Sequence, residues 1–426
     1  MSKAKRIPRE RFVLLFAVML VAAAGNTAMQ SLMPAIGRQL GVADLWVAVA
    51  FSLSAVIWVV TAPHWARRAD HRGRRALMRL GLYGFIASMV ICGLVLAAGL
   101  SGWIAPMTVF LVFIVGRAVY GAWGSASPPA VQAYVAARTE GAERTNALAA
   151  IASSFGLGTI IGPAIAPLFI FAPLGLSGPL IVFAGIGLLV LLAVATRIPD
   201  DTPGSSPRGR IVGYPSIGGI DTAAPVESAK GRRPNLRWRD PRVLVWHMIG
   251  IVGGHGQAAI LGVIGFLVID RLDLPPDHAQ QWIAIVMMAG AAASLLAQWG
   301  LIPYLELDPR QMVMWGSITA AAGSLLIAFS EGMYGTTMGF ALASLGFGFF
   351  RPGFTSGASL AVKASEQNAV AGMVTSVNGV AFVAGPALAV GLYGLSRPLP
   401  FLATAVLMLG LGIWTRLRFN LRTPIK

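Results

Sequence analysis

Between two long apolar segments, the stretch Pro63–Arg79 (PHWARRADHRGRRALMR) packs six arginines and an aspartate. Charge at that density cannot lie in hydrocarbon, where one charged residue at a helix centre costs about 2.5–3.5 kcal/mol on insertion scales. The stretch therefore reads as a loop, and the positive-inside bias places it in the cytoplasm. Every other segment then acquires a side. Apolar runs of about 20 residues recur along the chain, each enough for a hydrocarbon core of about 30 Å. Only 12% of the 426 residues are charged, against about 25% in soluble domains.

The pattern predicts spans near Phe12–Met33, Leu45–Ala62, Ala76–Leu100, Trp103–Ser125, Ala147–Phe171 and Ser177–Thr196. The first resembles a signal peptide at its start. Its apolar pattern continues past Asn26 and more spans follow, so a retained span is expected. Arg197–Asp240 then breaks the pattern, being rich in Pro, Gly, Ser and charge, and reads as a cytoplasmic linker. Six more spans follow near Val243–Ile269, Gln280–Leu301, Gln311–Phe329, Met333–Phe350, Ala369–Tyr393 and Leu399–Arg416. The expected organisation is an N-terminal half (residues 1–196), the linker (197–240) and a C-terminal half (241–426), with both termini cytoplasmic.

A net charge of +16 raises the question of nucleic acid, but its distribution answers it. All but five of the 33 Lys and Arg fall in the termini and in loops on the side of the arginine stretch. Arg38, Arg271 and Arg397 lie in opposite loops, and Arg117 and Arg351 lie near or within spans. This is a topology signal, with anionic lipid headgroups as the expected partner and no nucleic acid. The single Cys92 leaves no disulfide framework or cysteine metal site.

The halves resemble each other. A shift of 223 residues pairs Pro129 with Pro352, Glu143 with Glu366, Ser153 with Ser376 and Gly156 with Gly379. It also pairs Gly162 and Pro163 with Gly385 and Pro386. Duplicated helical halves are a known route to transporters that bind substrate near the membrane midplane.

Three motifs give the chain a resemblance to the major facilitator superfamily over essentially its whole length. The family writes the loop after its second helix roughly as G-x-L-A-D-R-x-G-R-K. This chain offers Ala66, Arg68, Ala69, Asp70, His71, Gly73, Arg74 and Arg75, keeping the Asp, the second Gly and the basic pair. Arg117, which opens the run RAVYGAWGSASPPA, is similar to the fourth-helix arginine that the family links to proton coupling. Gly158–Pro163, GTIIGP, resembles the Gly-x-x-x-Gly-Pro motif of the drug:proton antiporter branch, with Ala166 and Pro167 replacing its trailing glycines. The resemblance implies an all-α membrane protein with twelve transmembrane helices in two pseudo-symmetric six-helix bundles, residing in the cell (inner) membrane. It also implies that Asp70, helped by Arg74, docks near the N-terminus of the eleventh helix, about Asn368, as a latch on the cytoplasmic side. A carboxylate there gains about 0.3–1 kcal/mol from the helix dipole; Arg67 and Arg72 serve topology.

The residues themselves add candidates. Gly158 and Gly162 are one turn apart and permit close backbone approach. Pro163 should free the Thr159 carbonyl, and Pro386 that of Phe382. Arg117 sits well inside a span, where charges face a bundle interior or cavity. All 17 Asp and Glu fall in loops or near span ends, Asp270 closing the seventh span, so the chain has no carboxylate deep in a span. The deepest acid–base group besides arginine is His255, whose unperturbed pKa near 6.5 suits proton exchange. It is either a coupling site that lines a cavity with Gln257 or a hydrogen-bonded histidine in a helix seam. Asn26 and Gln30 share a face, and Gln298 and Asn378 are further polar residues within spans; each serves a cavity or interhelical contacts.

A phosphate loop and an H-E-x-x-H signature are both absent, and the loops are too short for a catalytic domain. No enzyme activity and no cofactor are expected. The main expectation is alternating-access, proton-coupled efflux of small hydrophobic or amphipathic compounds, of the multidrug-resistance kind, by a monomer. One alternative is proton-coupled transport of a metabolite or an organic anion held by Arg117; another is a non-transporting sensor of the same fold.

Overall fold

The computed structural model describes residues 7–136, 138–139, 141–200, 236–272, 275–362 and 366–420. Most of the linker, 201–235, lies outside them. The described chain is helical almost throughout. Its first half comprises α1 (Arg9–Gln39), α2 (Asp44–Arg72), α3 (Arg74–Leu100), α4 (Pro106–Trp123), α5 (Ser127–Ala136), α6 (Gly141–Ile165) and α7 (Gly178–Arg197). After the linker come α8 (Pro241–Leu272), α9 (Pro276–Leu295), α10 (Ile302–Leu305), α11 (Pro309–Phe329), α12 (Met333–Leu360), α13 (Gln367–Leu395) and α14 (Leu399–Asn420).

Among the described residues, ten helices are long and apolar enough to cross a membrane. Apolar side chains such as Leu111, Val115, Leu189 and Val406 are more than half exposed, as lipid-facing positions are. α12 is not among the ten despite its 28 residues, because Gly, Ser, Thr and Arg351 dilute its hydropathy. In α6 only Gly156–Phe169 registers, as a shorter apolar helix.

Two local predictions are corrected. The arginine stretch is not a loop: α2 continues to Arg72, Gly73 breaks it at φ 84°, and α3 resumes at Arg74. Charge excludes the segment from hydrocarbon but not from the helical state, and Arg is a good helix former. The fourth span does not stop at Ser125. A 3-10 turn, Gly124–Ala126, carries the chain into α5, and Pro106–Val135 forms one candidate crossing. Pro128 and Pro129 fall in the first turn of α5, where their missing N–H groups cost little. The span predicted near Gln280–Leu301 falls within one candidate crossing, His278–Leu305, in which α9 loosens into a π-turn at Leu296–Leu301 before α10.

The chain divides into two compact units. The first holds Met1–Leu236 with Lys363–Gly379, so it includes the first part of α13. Here α1 packs on α6 and α7, α3 on α4, α5 and α7, and α2 on α4. Leu15, Val18, Met78, Leu82, Val131, Tyr134 and Val194 form a core sealed to within 1% exposure. The second unit holds Arg237–Val362 with Val380–Lys426. In it α11 packs on α12 and α14, and α12 on α8 and α9. The α11–α12 seam depends on small residues: a Cβ on Gly323 would lie 2.2 Å from Ala343 N, and one on Gly346 would lie 2.3 Å from Ala320 N. Without water to drive helices together in lipid, close backbone packing of this kind supplies the cohesion. At the start of α11, Asp308 accepts from the backbone N–H groups of Arg310 and Gln311 while Gln311 accepts from that of Asp308, a capping box.

Candidate functional site

Arg117 is fully buried in the first unit. Its guanidinium carbon lies 4.7 Å from the centre of the Phe51 ring on α2 and 5.1 Å from that of Tyr120 on α4. One Nη1–H faces the Met29 sulfur on α1 at 3.7 Å. Nε and Nη2 have no hydrogen-bond partner, and no carboxylate among the described residues pairs with the group. Two cation–π contacts return about 0.5–2 kcal/mol each. Against them stand several kcal/mol for an arginine within a membrane and about 1–3 kcal/mol for each orphaned donor. The balance is unfavourable, so the cation is held at a cost to stability.

Its surroundings are braced by side chains that bond to carbonyls. On α2, Ser54 donates to the Arg117 carbonyl at 2.9 Å, Thr61 to that of Gly121 at 2.9 Å and Trp65 to that of Ala122 at 2.6 Å. Beside the 3-10 turn, the Gly121 and Ala122 carbonyls accept from α2 side chains, and that of Ala122 also from Ser125 at 3.2 Å. Sequence reasoning missed this ladder. Its signal was Ser54, Thr61 and Trp65 recurring on one helical face of an otherwise apolar span.

The paired glycines form corresponding seams. In the first unit, a Cβ on Gly158 would lie 2.5 Å from the Leu20 carbonyl oxygen, and one on Gly162 would lie 2.2 Å from that of Ala24. Thr27 adds a 3.4 Å hydrogen bond to the Gly158 carbonyl. In the second unit, a Cβ on Gly385 would lie 2.8 Å from the Ala258 methyl, and one on Gly262 would lie 2.9 Å from Pro386. Thus α6 packs on α1 through Gly158 and Gly162, and α13 on α8 through Gly385 and Pro386. Pro163 and Pro386 both lie inside their helices.

The remaining candidates are scattered. His255 is half-buried, and its Nδ1–H donates to the Ile251 carbonyl one turn back at 2.7 Å. Gln257 and Gln30 are half-buried on α8 and α1. Gln298 lies in the π-turn and donates to Ser294 at 3.2 Å. Asn26 and Asn378 are buried, with the Asn26 Oδ1 and the Asn378 Nδ2 unpartnered. Arg74 is half-buried at the start of α3. The side chains of Asp70, His71 and Asn368 lie outside the described residues, and with them the geometry of the latch.

Two contacts at the end of α8 went unread in the sequence. Asp270 accepts from the Tyr393 hydroxyl on α13 at 2.7 Å and lies 3.6 Å from Arg397. Arg271 donates to the Ile327 carbonyl at 2.7 Å, to Ser330 at 2.9 Å and to Thr336, tying α8 to the turn between α11 and α12.

The chain is 24% identical over 414 residues to "Multidrug resistance protein 2" of Bacillus subtilis (strain 168), covering 97% of this chain and 96% of that protein. Among solved structures, the human organic anion transporter MFSD10 (TETRAN) matches with a TM-score of 0.65 at 17% identity, covering 96% of this chain and all of that one. A bacterial homologue of the human lysosomal transporter Spinster, inward-facing and occupied, matches with a TM-score of 0.73 at 11% identity, covering 96% of both chains. At those identities the structures speak for the fold alone. The family model of the Major Facilitator Superfamily matches residues 14–305. The chain belongs to the Major Facilitator Superfamily, whose members move small molecules across membranes by alternating access, and it has no catalytic function.

Proposed function

We propose that this transporter carries a small organic anion or an anionic metabolite, coupled to protons. The observation that supports this is Arg117: a fully buried cation with two unpartnered nitrogens and no carboxylate paired to it among the described residues. Carboxylate or sulfonate oxygens would satisfy those donors and neutralise the charge, so binding relieves a cost the protein already bears. In this reading the α2–α4 ladder holds the arginine, and the alternating-access movement uncovers it. Twelve crossings in two halves, residues 1–196 and 241–426, would carry that movement. The Gly158–Gly162–Pro163 and Gly385–Pro386 seams would bend, and Asp70 with Arg74 would latch the cytoplasmic side. Asn26, Gln30, His255, Gln257, Gln298 and Asn378 are the polar candidates for the cavity.

The test uses the purified full chain in liposomes loaded with a pH-sensitive dye. A proton gradient is imposed, and benzoate, salicylate, ethidium or tetraphenylphosphonium is added. Proton flux elicited by the anions, and lost in Arg117→Ala, supports the reading. Flux elicited by the lipophilic cations alone transfers it to drug efflux, which the full-length similarity to a multidrug resistance protein favours.

A further inference from the structure

We propose that the anion this transporter carries also bears a hydrogen-bond donor, a hydroxyl or an N–H, and that Asn26 on α1 accepts from it, an inference that rests on the anion reading above. Arg117 offers donors only, so an anion on it answers the open Nε and Nη2 groups and nothing else. Asn26 has the opposite need. It is 3% exposed, and its Oδ1, an acceptor, has no partner among the described residues. A buried acceptor left without a donor lowers stability. Its neighbours on the helix avoid that cost: Thr27 donates to the Ala23 carbonyl at 2.9 Å and Ser31 to the Ala28 carbonyl at 2.8 Å.

The two needs meet in one place. Met29, whose sulfur faces the Arg117 Nη1 at 3.7 Å, follows Asn26 by three residues. Residues three apart on a helix are neighbours, with Cβ atoms about 5–6 Å apart, so Asn26 lies within a small molecule's length of the guanidinium. Both residues belong to the first unit. The sectors of α1 on either side of Asn26 are occupied. Gly25 abuts Phe85 and Met89 of α3, while Ala23, Ala24 and Thr27 abut Gly158 and Gly162 of α6. At 100° per residue Asn26 falls between those two sectors and serves neither seam. Around the guanidinium the walls are rings. Phe51 and Tyr120 lie over it, Phe113 meets Phe51 at 6.3 Å between centroids, and Trp58 meets Tyr120 at 5.2 Å. Such surroundings hold a planar aromatic body by offset and edge contacts. The class that fits all three features is an aromatic carboxylate with a hydroxyl or amino donor on the ring, its carboxylate toward Arg117 and its donor toward the Asn26 Oδ1.

Equilibrium binding to the purified full chain, read by calorimetry at neutral pH, tests this without relying on flux. The probes are benzoate, meta- and para-hydroxybenzoate, and the methyl ethers of the two phenols, which keep the ring, the charge and the oxygen but lose the donor. At least one hydroxybenzoate should bind about tenfold tighter than both its ether and benzoate, the effect of one hydrogen bond to a buried group. That ratio should fall to about one in Asn26→Leu and in Asn26→Ala, which remove the unpaired acceptor with and without keeping side-chain bulk. Hydroxybenzoates that bind no tighter than benzoate overturn the inference, while benzoate binding that is lost in Arg117→Ala leaves the anion reading standing. A preference that persists in both Asn26 variants overturns it as well, because the donor then pairs elsewhere. If none of these anions binds, the anion reading and the inference fall together.

Discussion

Gly162→Ala should damage the protein out of proportion to one methyl group. The added Cβ would stand 2.2 Å from the Ala24 carbonyl oxygen and 2.5 Å from the Thr27 Oγ1. Ordinary contact begins at 3.4 Å, so the shortfall against Ala24 is 3.4 less 2.2, or 1.2 Å. The obstructing atom is helix backbone and has no rotamer to escape into. Either α1 and α6 separate by about 1 Å over a turn, forfeiting a quarter to half of each contact well there, or both helices strain. Overpacking of this kind costs about 1–3 kcal/mol, and a shortfall this large belongs at the upper end. Replacing glycine in a helix also returns about 1 kcal/mol of propensity, which makes Gly185→Ala the right control: it gains the same propensity and its Cβ meets nothing within 4 Å. The two variants should differ by about 3 kcal/mol. At about 2.1 cal/mol/K of unfolding entropy per residue, 426 residues give about 0.9 kcal/mol/K, so the midpoints should separate by about 3 °C or more. Gly385→Ala, 2.8 Å from a methyl, should fall between them. Thermal unfolding of the three variants in one detergent, at one scan rate, is the assay. Midpoints for Gly162→Ala and Gly185→Ala within about 1 °C of each other would refute the close-packed seam.

Arg117→Met should raise stability by about 1–4 kcal/mol, since an apolar side chain of similar volume replaces a buried and unpartnered charge, while abolishing anion-driven proton flux; a midpoint below that of the wild type would show that the cation is satisfied after all. Arg271→Gln breaks the tie between α8 and the α11–α12 turn and should cost about 2 kcal/mol, because bonds from a charged donor are worth about 1.5–3 kcal/mol each and this side chain is only half-buried. The same melting series should show it. Asp308→Ala removes the capping box of α11 and should cost about 1 kcal/mol, readable as faster amide exchange in the first turn of that helix.

What the sequence disclosed depended on whether the relevant physics is local. Arg117 stood out because a charge inside an apolar run has few explanations, and in the structure it is fully buried at a cost that packing does not repay. The Gly-Pro pairs were visible because duplication printed the same solution twice, 223 residues apart, and both copies face a close backbone neighbour. The arginine stretch was misread for an instructive reason. Hydropathy reports the solvent a segment prefers, and α2 simply carries its helix out to Arg72. The pattern places the end of the fourth span at Ser125, but Pro128 and Pro129 lie in the first turn of a continuing helix. Least legible were pairings between distant residues. Asp270 looked like an ordinary span-end acid because its partner, Tyr393, is 123 residues away, and nothing near either residue in the chain announces the other.

The repeated Gly-Pro pair gives the two units one packing device in common, while the fully buried cation, Arg117, belongs to the first unit. The α1–α6 and α8–α13 seams each rest on a glycine of the repeated Gly-Pro pair, Gly162 in the first unit and Gly385 in the second. The first unit holds a cation with two open donors. A carboxylate placed next to Arg117 would close those donors: the pair would satisfy itself, and under the proposed function the anion would lose its site. An acid introduced beside Arg117, by Met29→Glu, should therefore stabilise the protein relative to the same substitution made together with Arg117→Met. It should also silence anion-driven proton flux. Retained flux in Met29→Glu would show that the arginine is not where the anion binds.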